Sequence, residues 1–132
     1  MNNSAKIGVI VAQLGTPEAP TAKALRPYLR EFLSDPRVVD LHPVKWYPIL
    51  YGIVLTFRPK RSAALYKNIW TEKGSPLMVY SKAQTSGLSE LLGSNYEVIL
   101  GMRYGKPSIA DAFRFFEQKG INRILVFPMY PQ

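Results

Sequence analysis

The sequence predicts an α/β fold: an open parallel sheet flanked by helices in three layers. Two observations predict it. Short apolar runs alternate along the chain with longer stretches whose apolar residues recur at helical spacing. Three of the runs also end alike, in loops built from Gly or Pro: Gln13-Leu14-Gly15-Thr16-Pro17, Arg103-Tyr104-Gly105-Lys106-Pro107 and Pro128-Met129-Tyr130-Pro131-Gln132. Right-handed crossovers between parallel strands bring such loops to a single edge, and ligands of open α/β sheets bind in the crevice beyond the carboxyl ends of the strands.

Ile7–Ala12 is the first predicted strand. It is expected to break at Gln13–Thr21, because Gly15 permits backbone angles that other residues resist while Pro17 and Pro20 fix φ and remove donors. Thr21 is placed to cap a helix whose apolar set is Leu25, Tyr28, Leu29, Phe32 and Leu33, ending at Ser34-Asp35-Pro36. Val38 and Val39 read as a short extended piece. Trp46–Phe57 is apolar throughout; Pro48 and Gly52 interrupt it, and it falls short of the about 20 residues a bilayer span needs. It reads either as a buried helix or as an exposed apolar lip, with the basic cluster Arg58-Pro59-Lys60-Arg61 at its end.

Leu65, Tyr66, Ile69 and Trp70 mark a further helical face. Ser75 then stands at an N-cap with Pro76 at the first helical position, which tolerates a missing donor, and Gly93 closes that helix. Tyr96–Met102 is the second strand. Ser108 with Asp111 forms a capping box that has Asp in place of the usual Glu, ahead of the face Ile109, Ala112, Phe113 and Phe116; Gly120 ends it. Arg123–Phe127 is the third strand, which Pro128 breaks.

Composition bounds the function. The 132 residues, 47% hydrophobic, suit one core. The absence of cysteine rules out a disulfide framework or a thiolate metal site in this chain, and the single histidine, His42, has no second histidine for a metal pair. The short polar start Met1–Lys6 leads directly into a strand with no secretory segment before it, so a cytoplasmic place is expected. Seventeen Lys and Arg against nine Asp and Glu give +8, which favours anionic partners. The charges are dispersed and no nucleic-acid reading element accompanies them, so nucleic acid is not an expected partner.

The predicted edge presents an arginine, two tyrosines and a leucine. It suits a flat, partly apolar ligand with anionic corners; no Gly-x-Gly-x-x-Gly or Walker loop is present for a nucleotide. A three-stranded sheet is thin for this architecture, and the third strand has no helix after it, so the chain reads as a first domain incomplete at its C-terminal end.

A resemblance sharpens this. Leu14–Pro20, Tyr28–Val39, Arg58–Ser62, Ile69–Leu77, Gly101–Gly105 and Tyr130–Gln132 resemble, in order and spacing, the opening of bacterial ferrochelatases. One departure is Gln13, where the family commonly has Asn. The resemblance implies a chelatase-like fold of flavodoxin-type topology, with residues 1–132 forming the N-terminal domain of a two-domain enzyme whose C-terminal domain is missing here. It implies insertion of ferrous iron, as substrate, into protoporphyrin IX, with no cofactor or resident metal in this chain. The family's catalytic histidine and glutamate lie in the later half, so no catalytic residue is expected here and the chain alone is expected to be inactive. His42 does not match the catalytic context.

By resemblance, Leu14 lies near the porphyrin centre; Arg58, Tyr66 and Ser75 bind the macrocycle or its propionates; and Arg103, Tyr104 and Tyr130 line the cleft. Trp46–Phe57 matches a cleft lip that in some members also meets a membrane, and by that resemblance a peripheral contact at the inner membrane is expected. Each of these residues also has an ordinary reading: Ser75 as a cap, Tyr66 as core, Arg58 as a solvated cation, Arg103 as a partner for a carboxylate, Tyr104 and Tyr130 as loop aromatics, Leu14 as a buried loop residue. Two other readings of the whole chain remain open, a tetrapyrrole-binding module without catalysis and a peripheral membrane-interaction domain.

Overall fold

The computed structural model of the chain describes residues 5–131, so the first four residues of the polar start and Gln132 of the last loop lie outside the described residues. The chain divides into two compact units. One joins the stretch ending at Gly15 to the stretch beginning at Leu77; the other is Thr16–Pro76.

The first unit is built on three parallel strands, β1 (Ile7–Gly15), β2 (Tyr96–Tyr104) and β3 (Arg123–Pro128), in the order β2-β1-β3. Ile7 pairs with both Tyr96 and Arg123, and Ala12 with both Gly101 and Pro128. The strands therefore run in step and their carboxyl ends share one edge, as the sequence predicts.

β1 is central and buried from Gly8 to Gln13, as expected of a parallel strand covered on both faces. Alternate side chains serve opposite layers. Ile10 packs with Ala112 and Phe116 of α5 (Ile109–Gln118) and with Ile121. Val11 joins Leu100 and Met102 against Met78 and Leu88 of α4 (Pro76–Leu92). A helix on each face of the sheet gives the three predicted layers. Close packing sets the approach of α5: a Cβ on Gly101 would lie 2.9 Å from Ile10 Cγ2 and 3.2 Å from Ile109 Cα. β3 is the exception, with Leu125, Val126 and Phe127 exposed.

The capping box forms as expected. Asp111 N–H donates to Ser108 Oγ and Ser108 N–H donates to Asp111 Oδ2, both at 3.0 Å. The Ser108 hydrogen bonds, with Lys106 adding to them, lower the Asp111 carboxyl to about 2. Glu97 is also lowered, chiefly by the Lys119 ammonium bonded at 2.9 Å and further by Lys6 at 3.4 Å.

The second unit is helical: α1 (Ala22–Leu33), α2 (Pro43–Ile49), a π-helical segment Leu50–Val54, and α3 (Leu55–Ile69). Thr21 Oγ1 caps α1 by accepting from Ala24 N–H at 3.2 Å. Leu25, Leu29 and Leu33 of α1 form the core with Leu50, Leu55 and Ala63. His42 is an exposed cap whose Nδ1 accepts from Val44 N–H at 3.3 Å. One contact arises from proline chemistry. Pro59 has no N–H to give the carbonyl four residues back, which is that of Leu55; Arg26 Nε supplies the missing donor at 3.2 Å.

The structure corrects four expectations and decides between the two readings of a fifth segment. β1 continues through Gln13, Leu14 and Gly15, and β2 through Arg103 and Tyr104, because Gln13↔Met102 and Gly15↔Tyr104 keep the ladder going; Pro128 closes β3 inside it, paired with Ala12. Val38 and Val39 form no strand: their N–H groups both donate to Asp35 O, and Asp35 Oδ1 accepts from Arg37 N–H, winding a turn. Leu65 and Ile69 of α3 face outward, since the buried stripe is Leu55, Pro59 and Ala63. On α5, Phe113 is exposed and Phe115 takes its place in the core. Finally, Trp46–Phe57 is the lip rather than a buried helix, with Tyr47, Ile49, Tyr51, Ile53 and Phe57 exposed. Only Leu50 and Leu55 turn fully inward there, while Trp46 donates from Nε1 to Leu33 O at 2.7 Å.

Candidate functional site: a sheet edge and a basic groove

In the first unit, the last residues of the strands and the loops after them shape the sheet's carboxyl edge. Gly15, last in β1, has φ +132, and a Cβ there would collide with the Tyr104 carbonyl. Only glycine lets β1 run this close to β2 at its end. Leu14, just before it, is 40% exposed although every residue from Gly8 to Gln13 is buried. The pairs on either side of it set Leu14 level with Arg103, on the same face of the sheet. An exposed leucine at the carboxyl end of a buried strand is a feature that sheet packing does not require.

Next to it, the Arg103 guanidinium lies 4.7 Å from the centre of the Tyr104 ring, a cation–π contact with a tyrosine only 4% exposed. Tyr104 is thus a buried strand residue rather than a loop aromatic. Tyr130 comes just after β3 and is half-buried. The chain beyond β3 is tied back by Met129 N–H donating to Ala12 O at 2.9 Å. Gln13, buried on the opposite face, donates from Nε2 to Gln84 Oε1 at 3.2 Å.

In the second unit, Arg58 lines a groove of about 520 Å³ with Ile53, Phe57, Arg61, Ser62 and Leu65. Two guanidinium groups one helical turn apart share it with three large apolar side chains. That chemistry fits an apolar body carrying anionic substituents. Tyr66 is not in this groove: it packs on the core cluster and meets Trp70 edge-on at 6.3 Å between ring centres. Ser75 is buried just ahead of α4, and its Oγ accepts from Thr16 Oγ1 at 2.8 Å.

The structure therefore brings Leu14, Arg103 and Tyr104 together at one edge, sets Tyr130 after β3, and gives Arg58 a groove within the other unit. Sequence reasoning missed Leu65 and Ser62 as groove residues and Thr16 as the partner of Ser75. The three- and four-residue steps Arg58–Arg61–Leu65 carry the first signal; nothing in the sequence carries the second, because Thr16 and Ser75 are far apart in the chain. Among the described residues no group of His, Asp and Glu could hold a metal ion, and no helix is long and apolar enough to cross a membrane.

The fold defines the class: an α/β protein with an open parallel sheet flanked by helices, joined in sequence to a helical unit that carries a basic, apolar groove. The family model described as Ferrochelatase matches residues 6–132. The chain is 52% identical to the ferrochelatase of Idiomarina loihiensis over 131 residues, covering 96% of this chain and 36% of that protein. It is 55% identical to ferrochelatase 2 of Shewanella oneidensis over 130 residues, covering 96% and 40%. With the ferrochelatase of Vibrio cholerae the identity is 48% over 132 residues, covering 100% and 41%. The chain belongs to the ferrochelatase family, and it spans about two-fifths of the length of these relatives.

Proposed function

We propose that this chain is the porphyrin-gripping part of a ferrochelatase, which inserts ferrous iron into protoporphyrin IX to make protohaem. The observation that carries the reading is the groove of Arg58, Arg61, Ile53, Phe57 and Leu65, which offers cations for propionates beside an apolar wall for a macrocycle. Family membership supports it.

The chemistry gives these residues work. A planar porphyrin keeps its nitrogen lone pairs in the ring plane, so metal entry is slow. Binding contacts remote from the nitrogens can hold the ring bent and expose those lone pairs. Within the helical unit we assign Arg58 to the carboxylates; within the sheet unit we assign Leu14 to apolar contact with the ring and Arg103, Tyr104 and Tyr130 to the surface around it, on family resemblance. Ser75 and Tyr66 contribute through the contacts that hold them, the first with Thr16 and the second with Trp70.

The pyrrole protons need a base. The only histidine, His42, caps α2, and its Nδ1 is occupied by Val44 N–H. We assign the base and its acidic partner to the part of the family beyond the matched stretch, and residues 1–132 to an incomplete first domain of two. The exposed apolar residues of β3 support that domain reading. The test is protoporphyrin titration of the chain, read at the Soret band, with an iron-insertion assay beside it. A saturable shift without metallation is expected; turnover above the spontaneous rate, or no shift at all, overturns the reading.

One observation favours a second role at a membrane. Tyr47, Ile49, Tyr51, Ile53 and Phe57 are exposed together, next to Arg58, Lys60 and Arg61. This would set an otherwise cytoplasmic protein against the inner membrane surface. Co-sedimentation with anionic liposomes, lost on charge reversal of the three cations, is the expected result, and co-sedimentation indifferent to them rejects it.

A further inference from the structure

A second cavity in the helical unit, distinct from the Arg58 groove, has a volume of about 430 Å³ and is lined by Arg26, Pro27, Arg30, Tyr51, Leu55 and Thr56. Arg26 and Arg30 are four residues apart on α1, so both lie on one helical face. Neither is paired with a carboxylate among the described residues. Two guanidinium groups a turn apart repel each other mildly, and an anion between them would relieve that repulsion.

Arg26 is held in place by the backbone. Its Nε donates to the Leu55 carbonyl that Pro59 leaves without a helical partner, which fixes the guanidinium and leaves its terminal N–H groups for another acceptor. Tyr51, in the π-helical segment Leu50–Val54, lines the same cavity. Such segments are uncommon and recur at functional sites. Thr56 already donates its hydroxyl to Gly52 O at 3.2 Å, so the donors left to a ligand are the two guanidinium groups and the Tyr51 hydroxyl.

We propose that this cavity is an oxyanion site, in which Arg26 and Arg30 hold a phosphate-type group against the Tyr51 hydroxyl. Arg26 is pre-set by the Leu55 carbonyl, and Arg30 closes the fork from the next turn of α1. Two sources share this chemistry: a free phosphate or phosphate ester, and the headgroup of an anionic phospholipid reached beside the exposed lip. The site is independent of porphyrin binding, since Arg58 does not line it.

The experiment titrates inorganic phosphate into the full chain at constant ionic strength, reading the Nε–H resonances of all arginines by NMR. A saturable shift confined to Arg26 and Arg30 is expected. Arg30→Gln should weaken it by about tenfold, as loss of a charge-assisted hydrogen bond does. Arg58→Gln should leave it unchanged, and unaltered urea midpoints show that both variants fold. Vesicles of phosphatidylglycerol, with phosphatidylcholine vesicles as control, separate the sources: competition with phosphate assigns the headgroup, and its absence assigns the free anion. A shift that does not saturate, or that Arg58→Gln weakens as much as Arg30→Gln, overturns the proposal.

Discussion

Thr16 donates its hydroxyl hydrogen to Ser75 Oγ at 2.8 Å, and both side chains are buried. The bond joins the residue just after β1 to the residue just before α4. It thereby ties the two ends of the helical unit Thr16–Pro76. Removing it should cost about 1–2 kcal/mol in Thr16→Val, the range for a buried hydrogen bond. A double-mutant cycle with Ser75→Ala, read by urea unfolding, should return a coupling of that order. Additive single effects would show that the contact does not hold the unit's ends together.

Gly15 carries a stricter constraint. Its φ of +132 and the Tyr104 carbonyl beside it leave no room for a methyl group. Gly15→Ala should therefore destabilise the chain by at least about 2 kcal/mol, while Gly87→Ala, where a Cβ meets nothing within 4 Å, should not. Thermal melts of both variants compare them, and equal melting temperatures would remove Gly15 from the account of how the edge is built.

The capping box sets a pH dependence. The Asp111 carboxyl ionises at about 2 in the folded chain against an ordinary 3.8, first because Ser108 N–H donates to it. A folded-state pKa below the unfolded one gives stability that is complete above the unfolded value and is lost as pH falls through the folded one. The urea midpoints of the wild type and Asp111→Ala should differ by a constant amount above pH about 4 and converge as pH falls to about 2. A gap that stays open throughout would mean that the charge contributes nothing to the cap.

For the groove, Arg58→Gln should weaken protoporphyrin binding by about tenfold, the loss expected of one charge-assisted contact to a propionate. Lys82→Gln, exposed on α4, serves as the control and should bind as the wild type does. Equal affinity for all three proteins in a Soret titration would place the carboxylate anchor elsewhere.

Much of the fold is legible in the sequence because its signals are local. Thr21, Ser108 and Asp111 announce helix starts, Gly93 and Gly120 announce ends, and the structure has all of them. The carboxyl edge is legible too, since parallel strands leave their loops on one side. Residues beyond a strand's expected end are harder. Gln13-Leu14-Gly15 looks like a loop in isolation and becomes strand only because Met102 and Tyr104 pair with it. Helical faces mislead in the same way: Leu65 and Phe113 repeat at core spacing, yet the burial of Pro59 and Phe115 turns them outward.

The sequence by itself determined the α/β alternation and the helix caps, because each depends on neighbours within a turn or two. The tertiary structure alone decided that Leu14 is the exposed residue of a buried strand, that Tyr104 lies beneath Arg103, that Thr16 meets Ser75 and that Arg26 serves the carbonyl Pro59 leaves open. Those outcomes rest on contacts between segments distant in sequence. Backbone hydrogen bonding and close packing settle them only once the whole unit has formed.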